Sequence, residues 1–214
     1  MRSVKFFLAA LVVVVCSVVP AVADSILYDN GPQGPDADAW PVYGGYVTAD
    51  TFTLTTAATV TGFQFWAWLF PGDTVTSAEV SITSQAFGGT TYFDQTVIFT
   101  SLGCNVNAYG YNVCDESATF HGPRLNAGTY WLNLQNAVTA QGNPVLWDEN
   151  SGFGCTSPGC PSLAESTEVD GTIPSESFTL IGNSGSGSVP EPGTILLLGA
   201  GLIGVAETLR RKLY

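Results

Sequence analysis

Basic residues are nearly missing from this chain. Of its six lysines and arginines, Arg2 and Lys5 stand at the start and Arg210, Arg211 and Lys212 at the end. Between Asp24 and Val189 the only basic residue is Arg124, against sixteen Asp and Glu, which leaves a net charge of about fifteen negative units. A nucleic-acid partner is excluded, because such binding needs a basic stripe that displaces counterions from phosphate. The same charge repels anionic lipid headgroups. It favours solubility and attracts divalent cations or basic partners.

Catalytic signatures are scarce as well. His121 is the only histidine, and "FHGPRL" reads as a strand end followed by a turn. Neither a Gly-x-Ser-x-Gly elbow nor a His-Glu-x-x-His metal motif accompanies it. A carboxylate pair would serve a glycosidase, but sixteen acids in an acidic protein single out no pair. The expectation is a protein without catalysis of its own.

No hydrophobic run reaches the roughly 20 residues of a comfortable bilayer span. The first apolar run, Phe6 to Val19, follows Arg2 and Lys5 and ends at Pro20 and Ala21-Val22-Ala23. That is the order of a secretory signal peptide cleaved after Ala23. An uncleaved N-terminal anchor would have no use for the helix-breaking Pro20 or the Ala-x-Ala site. Cys16 follows Val15, where lipidation needs a small residue, so a lipoprotein is rejected.

Helical periodicity is missing from residues 24–181, a length sufficient for one domain with its own core. "YVTADTFTLTT", "ATVTGFQFWAWLF", "TVTSAEVSITS" and "TYFDQTVIFTS" are rich in Thr, Val and aromatics and alternate at period two between turn residues. "GTYWLNLQN" and "ESFTLIG" read as further strands. Val60, Phe63, Phe65 and Ala67 do not share one face of a regular strand, so a bulge is expected near Gly62. The predicted fold is all-β, an antiparallel β-sandwich of jelly-roll-like kind. A Gly/Ser linker, residues 182–188, follows it.

Four cysteines remain after leader cleavage: Cys104, Cys114, Cys155 and Cys160. An even number in an exported chain points to disulfides. Three pairings exist, and the local ones, Cys104–Cys114 and Cys155–Cys160, are favoured because each closes a turn-like segment. "CNVNAYGYNVC" and "CTSPGC" lack the tight spacing of zinc knuckles.

Two binding sites are candidates. Asp29, Asn30, Asp36 and Asp38 lie within ten residues on a Gly-rich loop. Hard oxygen ligands of this kind suit calcium, the one cofactor the residues fit, although the spacing matches no twelve-residue calcium loop. The other reading is a solvated turn in which Asp and Asn serve the backbone. Asp148, Glu149 and Asn150 carry the same ambiguity. Among Trp40, Trp66, Trp68, Trp131 and Trp147, at least three are expected in the core. Trp66 and Trp68 share a strand face and offer a flat platform for a sugar ring.

The tail, residues 189–214, has three parts. Val189, Pro190, Glu191 and Pro192 are held extended by proline, as a chain entering a protease or transpeptidase groove must be. Thr194 caps an apolar helix from Ile195 to Ala206 with Gly199, Gly201 and Gly204. Arg210, Arg211 and Lys212 then form a basic stop on the cytoplasmic side. Physically the three parts fit an ordinary short C-terminal membrane helix as well as a marginal anchor held until something cuts it. This arrangement resembles the PEP-CTERM sorting signal processed by exosortases. Glu207 departs from that pattern; near the helix end it can lie among headgroups and pair with Arg210 or Arg211, which weakens the anchor without removing the resemblance.

The resemblance implies export in a Gram-negative bacterium, transient insertion in the inner membrane, and cleavage near the Pro-Glu-Pro triplet. It further implies a surface or matrix protein associated with exopolysaccharide or biofilm. The competing expectation is a secreted carbohydrate-binding module or glycan-active enzyme.

Overall fold

The computed structural model describes residues 24–34, 38–150, 163–184 and 209. Asp24–Gly185 is one of the two units into which the chain divides, and the description below concerns it. The expected leader lies outside the described residues. So does the expected C-terminal helix, apart from the helical Leu209. Among the described residues no helix is long and apolar enough to cross a membrane.

The unit is all-β, as its period-two pattern requires. Its strands are β1 (Ser25–Asp29), β2 (Ala39–Pro41), β3 (Val47–Leu54), β4 (Ala58–Leu69), β5 (Val75–Gln85), β6 (Gly88–Ile98) and β7 (Thr100–Val106). They continue with β8 (Asn112–Thr119), β9 (Arg124–Leu125), β10 (Gly128–Thr139), β11 (Leu146–Asp148), β12 (Ala164–Ser166), β13 (Gly171–Ile173) and β14 (Phe178–Asn183). All described pairings are antiparallel.

Two sheets form. The first runs β1-β14-β4-β11-β2, with β8 and β9 on the other edge of β4 and β7 beyond β8. The second runs β13-β12-β3-β10-β5-β6. They pack face to face in a sandwich, because one apolar cluster draws on both. Phe63, Phe65 and Leu180 enter it from the first sheet; Phe52, Ile82, Leu132 and Leu134 enter from the second. Each such side chain contributes roughly 1.5–3 kcal/mol by leaving water.

The central strand β4 shows how the sequence sets the layers. Phe63, Phe65, Ala67 and Leu69 belong to the shared core, whereas Gln64, Trp66 and Trp68 take the alternate positions. Val60 also belongs to that core, three residues before Phe63. The chain reconciles the two with the expected bulge: against β14, Gly62 pairs with Ile181 and Val60 with Gly182, leaving Thr61 as the extra residue.

Candidate functional site

The outward face of the first sheet holds a second, smaller apolar cluster. Alternation puts Trp66 and Trp68 on it; β8 brings Asp115 opposite Trp66 and Val113 opposite Trp68. On the other edge of β4, β11 brings Leu146 opposite Trp68. Ala39, Trp68 and Val113 form the cluster, with Trp66, Tyr111 and Leu146 packed against it.

The β7–β8 turn folds two tyrosines onto this cluster. Asn107 Oδ1 accepts hydrogen bonds from the amides of Tyr109 (3.1 Å) and Tyr111 (2.9 Å). Between them Gly110 takes a φ of 84°, which favours glycine. The ring of Tyr109 stacks on Trp68 at 5.7 Å, Tyr111 lies 5.6 Å from the same indole, and Phe70 meets Tyr111 edge-on at 5.3 Å.

Trp66 and Trp68 therefore share a face as expected, but Trp68 is only 6% exposed beneath its tyrosine cover. The accessible rings are Tyr109, 62% exposed, and Phe70, 39% exposed, with Trp66 half-buried. Only Trp68 and Trp147 are buried, fewer than the three core tryptophans expected; Trp40, Trp66 and Trp131 are half-buried. A short disulfide-bridged hairpin thus supplies the outer layer that the tryptophan count left out.

A second arrangement gathers acids in the interior. Asp50 sits on the same face of β3 as Phe52 and Leu54, so its carboxyl points between the sheets. Its Oδ2 accepts bonds from Asn30 Nδ2 (3.0 Å), Ser175 Oγ (2.9 Å) and the Glu176 amide (2.7 Å). The backbone of Glu176 forms an isolated antiparallel β-bridge with that of Glu149. Glu149 accepts from the Trp40 indole at 2.9 Å, and Asp148 accepts from the Trp68 indole and the Gly34 amide.

Burial pushes the Glu176 carboxyl well above its ordinary range, and Asp50, Glu149, Asp148 and Asp38 push it further the same way. Neither of its oxygens has a hydrogen-bond partner. Burial likewise pushes Asp148 up to about 7, against the opposing bonds from Trp68 and Gly34, and raises Glu149 despite the Trp40 bond. The charged groups that raise Glu176 are all acidic, and a proton retained on Glu176 spares the cluster one buried charge.

The loop candidates for calcium are placed as follows. Asp29 accepts the Gly31 amide, a local turn bond. Asn30 is buried and turns its amide inward to Asp50, Ser175 and the Glu176 carbonyl. Asp38 accepts the Ala39 amide, and Asp36 lies outside the described residues. Among the described residues, no group of three or more His, Cys, Asp or Glu is arranged to hold a metal ion. Cys104 and Cys114 form the expected disulfide across β7 and β8, whereas Cys155 and Cys160 lie outside the described residues. His121 is exposed.

Sequence reading missed Glu176 and the tyrosine layer. A signal for the first was present: period two in "VTADTFTL" puts Asp50 on the core face with Phe52 and Leu54, and a carboxyl there needs partners. For the second it was the i, i+2 pair Tyr109 and Tyr111 between bridged cysteines.

Of the tail only Leu209 is described, so the decision rests on its sequence. Residues 188–212 match the PEP-CTERM protein-sorting motif. The matched span contains Val189, Pro190, Glu191 and Pro192 as well as Arg210, Arg211 and Lys212. A PEP-CTERM motif indicates export and membrane-associated sorting in Gram-negative bacteria, and implies processing by an exosortase. No curated protein matches the chain.

Proposed function

We propose that this protein is exported as a precursor, held in the inner membrane by its apolar tail, and cut by an exosortase near Pro190–Pro192. The released β-sandwich then serves as a surface or extracellular-matrix component without catalysis of its own. The observation that carries the reading is the sorting-motif match over residues 188–212.

The physical order of the tail supports it. A proline-stiffened stretch suits an active-site groove, a short apolar segment makes a marginal anchor, and the basic stop resists translocation. The sheet orders β1-β14-β4-β8 and β3-β10-β5-β6 support the jelly-roll-like reading, and the broad outer faces of such a fold suit binding.

Mass spectrometry of the C-terminal peptide, from protein recovered outside the cell, tests the proposal. The expected result is a new or modified terminus near Pro190–Pro192. A tail ending at Tyr214, found only in the membrane fraction, would make this an ordinary anchored protein and end the exosortase reading.

A further inference from the structure

The outward face of the first sheet carries more aromatic surface than internal packing uses. Tyr109 stays 62% exposed although its ring rests on Trp68, and Phe70 stays 39% exposed although it meets Tyr111. Trp66 adds a half-buried indole two positions along β4 from Trp68. Clustered exposed rings of this kind mark interaction sites.

Two polar atoms distinguish this face from a plain apolar patch. Asp115, directly across the ladder from Trp66, has a buried Oδ1 with no hydrogen-bond partner. Asn107 uses its Oδ1 to hold the Tyr109–Tyr111 turn, and its buried Nδ2 has no partner. An unpaired buried acceptor and an unpaired buried donor each carry a desolvation cost, which a side-chain rotation toward a ligand hydroxyl relieves. Gly103, paired with Asp115 on β7, has nothing within 4 Å of where a Cβ would stand, so the surface beside Asp115 is open.

We propose that this face binds a neutral glycan chain. A pyranose ring has a flat face of C–H groups and a rim of hydroxyls. The C–H face suits Tyr109, Phe70 and Trp66. Each rim hydroxyl both donates and accepts, so one sugar chain answers Asp115 Oδ1 and Asn107 Nδ2 alike. Ligand sites commonly pair such aromatic walls with a few fixed polar groups.

Charge sets aside the anionic occupants that could stack. Nucleic-acid bases would also stack on these rings, but their phosphates would meet sixteen acids and one arginine between residues 24 and 189. Uronate-rich or sulfated glycans meet the same repulsion. A second copy of the chain would bring its own negative charge to the contact. The assignment rests on this face alone, so it stands or falls separately from the processing of the tail.

Native electrophoresis of the full chain tests it, in gels containing neutral polysaccharides (hydroxyethylcellulose, mixed-linkage β-glucan, xylan and galactomannan), with alginate as the anionic control. The expected result is retardation by at least one neutral polymer and none by alginate. Tyr109→Ala and Phe70→Ala should each weaken that binding about tenfold, as loss of a stacked anchor does. Tyr109→Phe keeps the ring and should bind like wild type. Tyr92→Ala, on the second sheet, should also leave binding unchanged. Thermal melts confirm that the variants fold. The assignment is overturned if no neutral polymer slows the wild type, or if the alanine variants run unchanged on one that does. It also fails if Tyr109→Ala converts a dimer to a monomer in sedimentation, since the face would then be a self-contact.

Discussion

At Gly62 a single methyl group decides how closely two strands can run. A Cβ there would stand 2.5 Å from the carbonyl oxygen of Ala118, an atom of the β8 backbone that has little freedom to retreat. Gly62→Ala should therefore destabilise the domain by about 1–3 kcal/mol, read as a lower urea midpoint. Gly103→Ala is the control: with open space at its Cβ position, it should change stability by no more than about 0.5 kcal/mol. The bulge beside Gly62 was legible in the sequence because Val60 and Phe63 are both large and apolar yet three apart. Glu176 was signalled only indirectly, through Asp50, because nothing in "SESFTL" says that its backbone will bridge Glu149 and its carboxyl lie buried beside the Asp50 network. Local pattern fixes which way a side chain points; it does not fix what arrives from more than a hundred residues away.

At the scale of elements, the long strands were read well and the crossing between sheets was not. "YVTADTFTLTT" and "ATVTGFQFWAWLF" correspond to β3 and β4 within a few residues. "TYFDQTVIFTS" was read as one strand but contains the end of β6 and the start of β7, which belong to different sheets. The change of sheet falls at Phe99, whose amide binds the Thr76 carbonyl at 3.2 Å and whose ring is buried in the core. Period two continues through such a corner, so the pattern hides it. β8 escaped notice because "CDES" looks polar, although Cys114, Glu116 and Ala118 take alternate buried positions. The β7–β8 hairpin yields its own test. Reducing Cys104–Cys114, which are ten residues apart, should remove about 2–3 kcal/mol on the loop-entropy model. It should also loosen the tyrosine layer, which is readable as increased exposure of Trp68 to a fluorescence quencher.

At the scale of the whole molecule, buried acids set the response to pH. Asp148 and Glu116 are each pushed up to about 7, chiefly by burial, and Glu149 and Glu176 are raised by the same cause. The folded state thus holds more protons than the unfolded chain between about pH 4 and 7, so stability falls as pH rises. The urea midpoint should decline from about pH 5 to about pH 8, by a total on the order of a few kcal/mol in stability. Glu176→Gln removes one such group without breaking a hydrogen bond that its oxygens accept, and should flatten the alkaline end of that decline. A midpoint that rises across this range would refute the assignment of retained protons. The pairing of β1 with β14 carries a consequence of a different kind. Ser25 Oγ donates to the Gly182 carbonyl across 157 positions of sequence, so the first strand of the domain waits for the last. During export, which delivers the chain from its N-terminus onward, β1 has no strand to pair with until β14, just ahead of the sorting tail, has crossed. The sheet closes late, and a chain halted midway across the membrane would expose an unfinished edge. Completion of folding is thereby timed to the arrival of the very segment that carries the address.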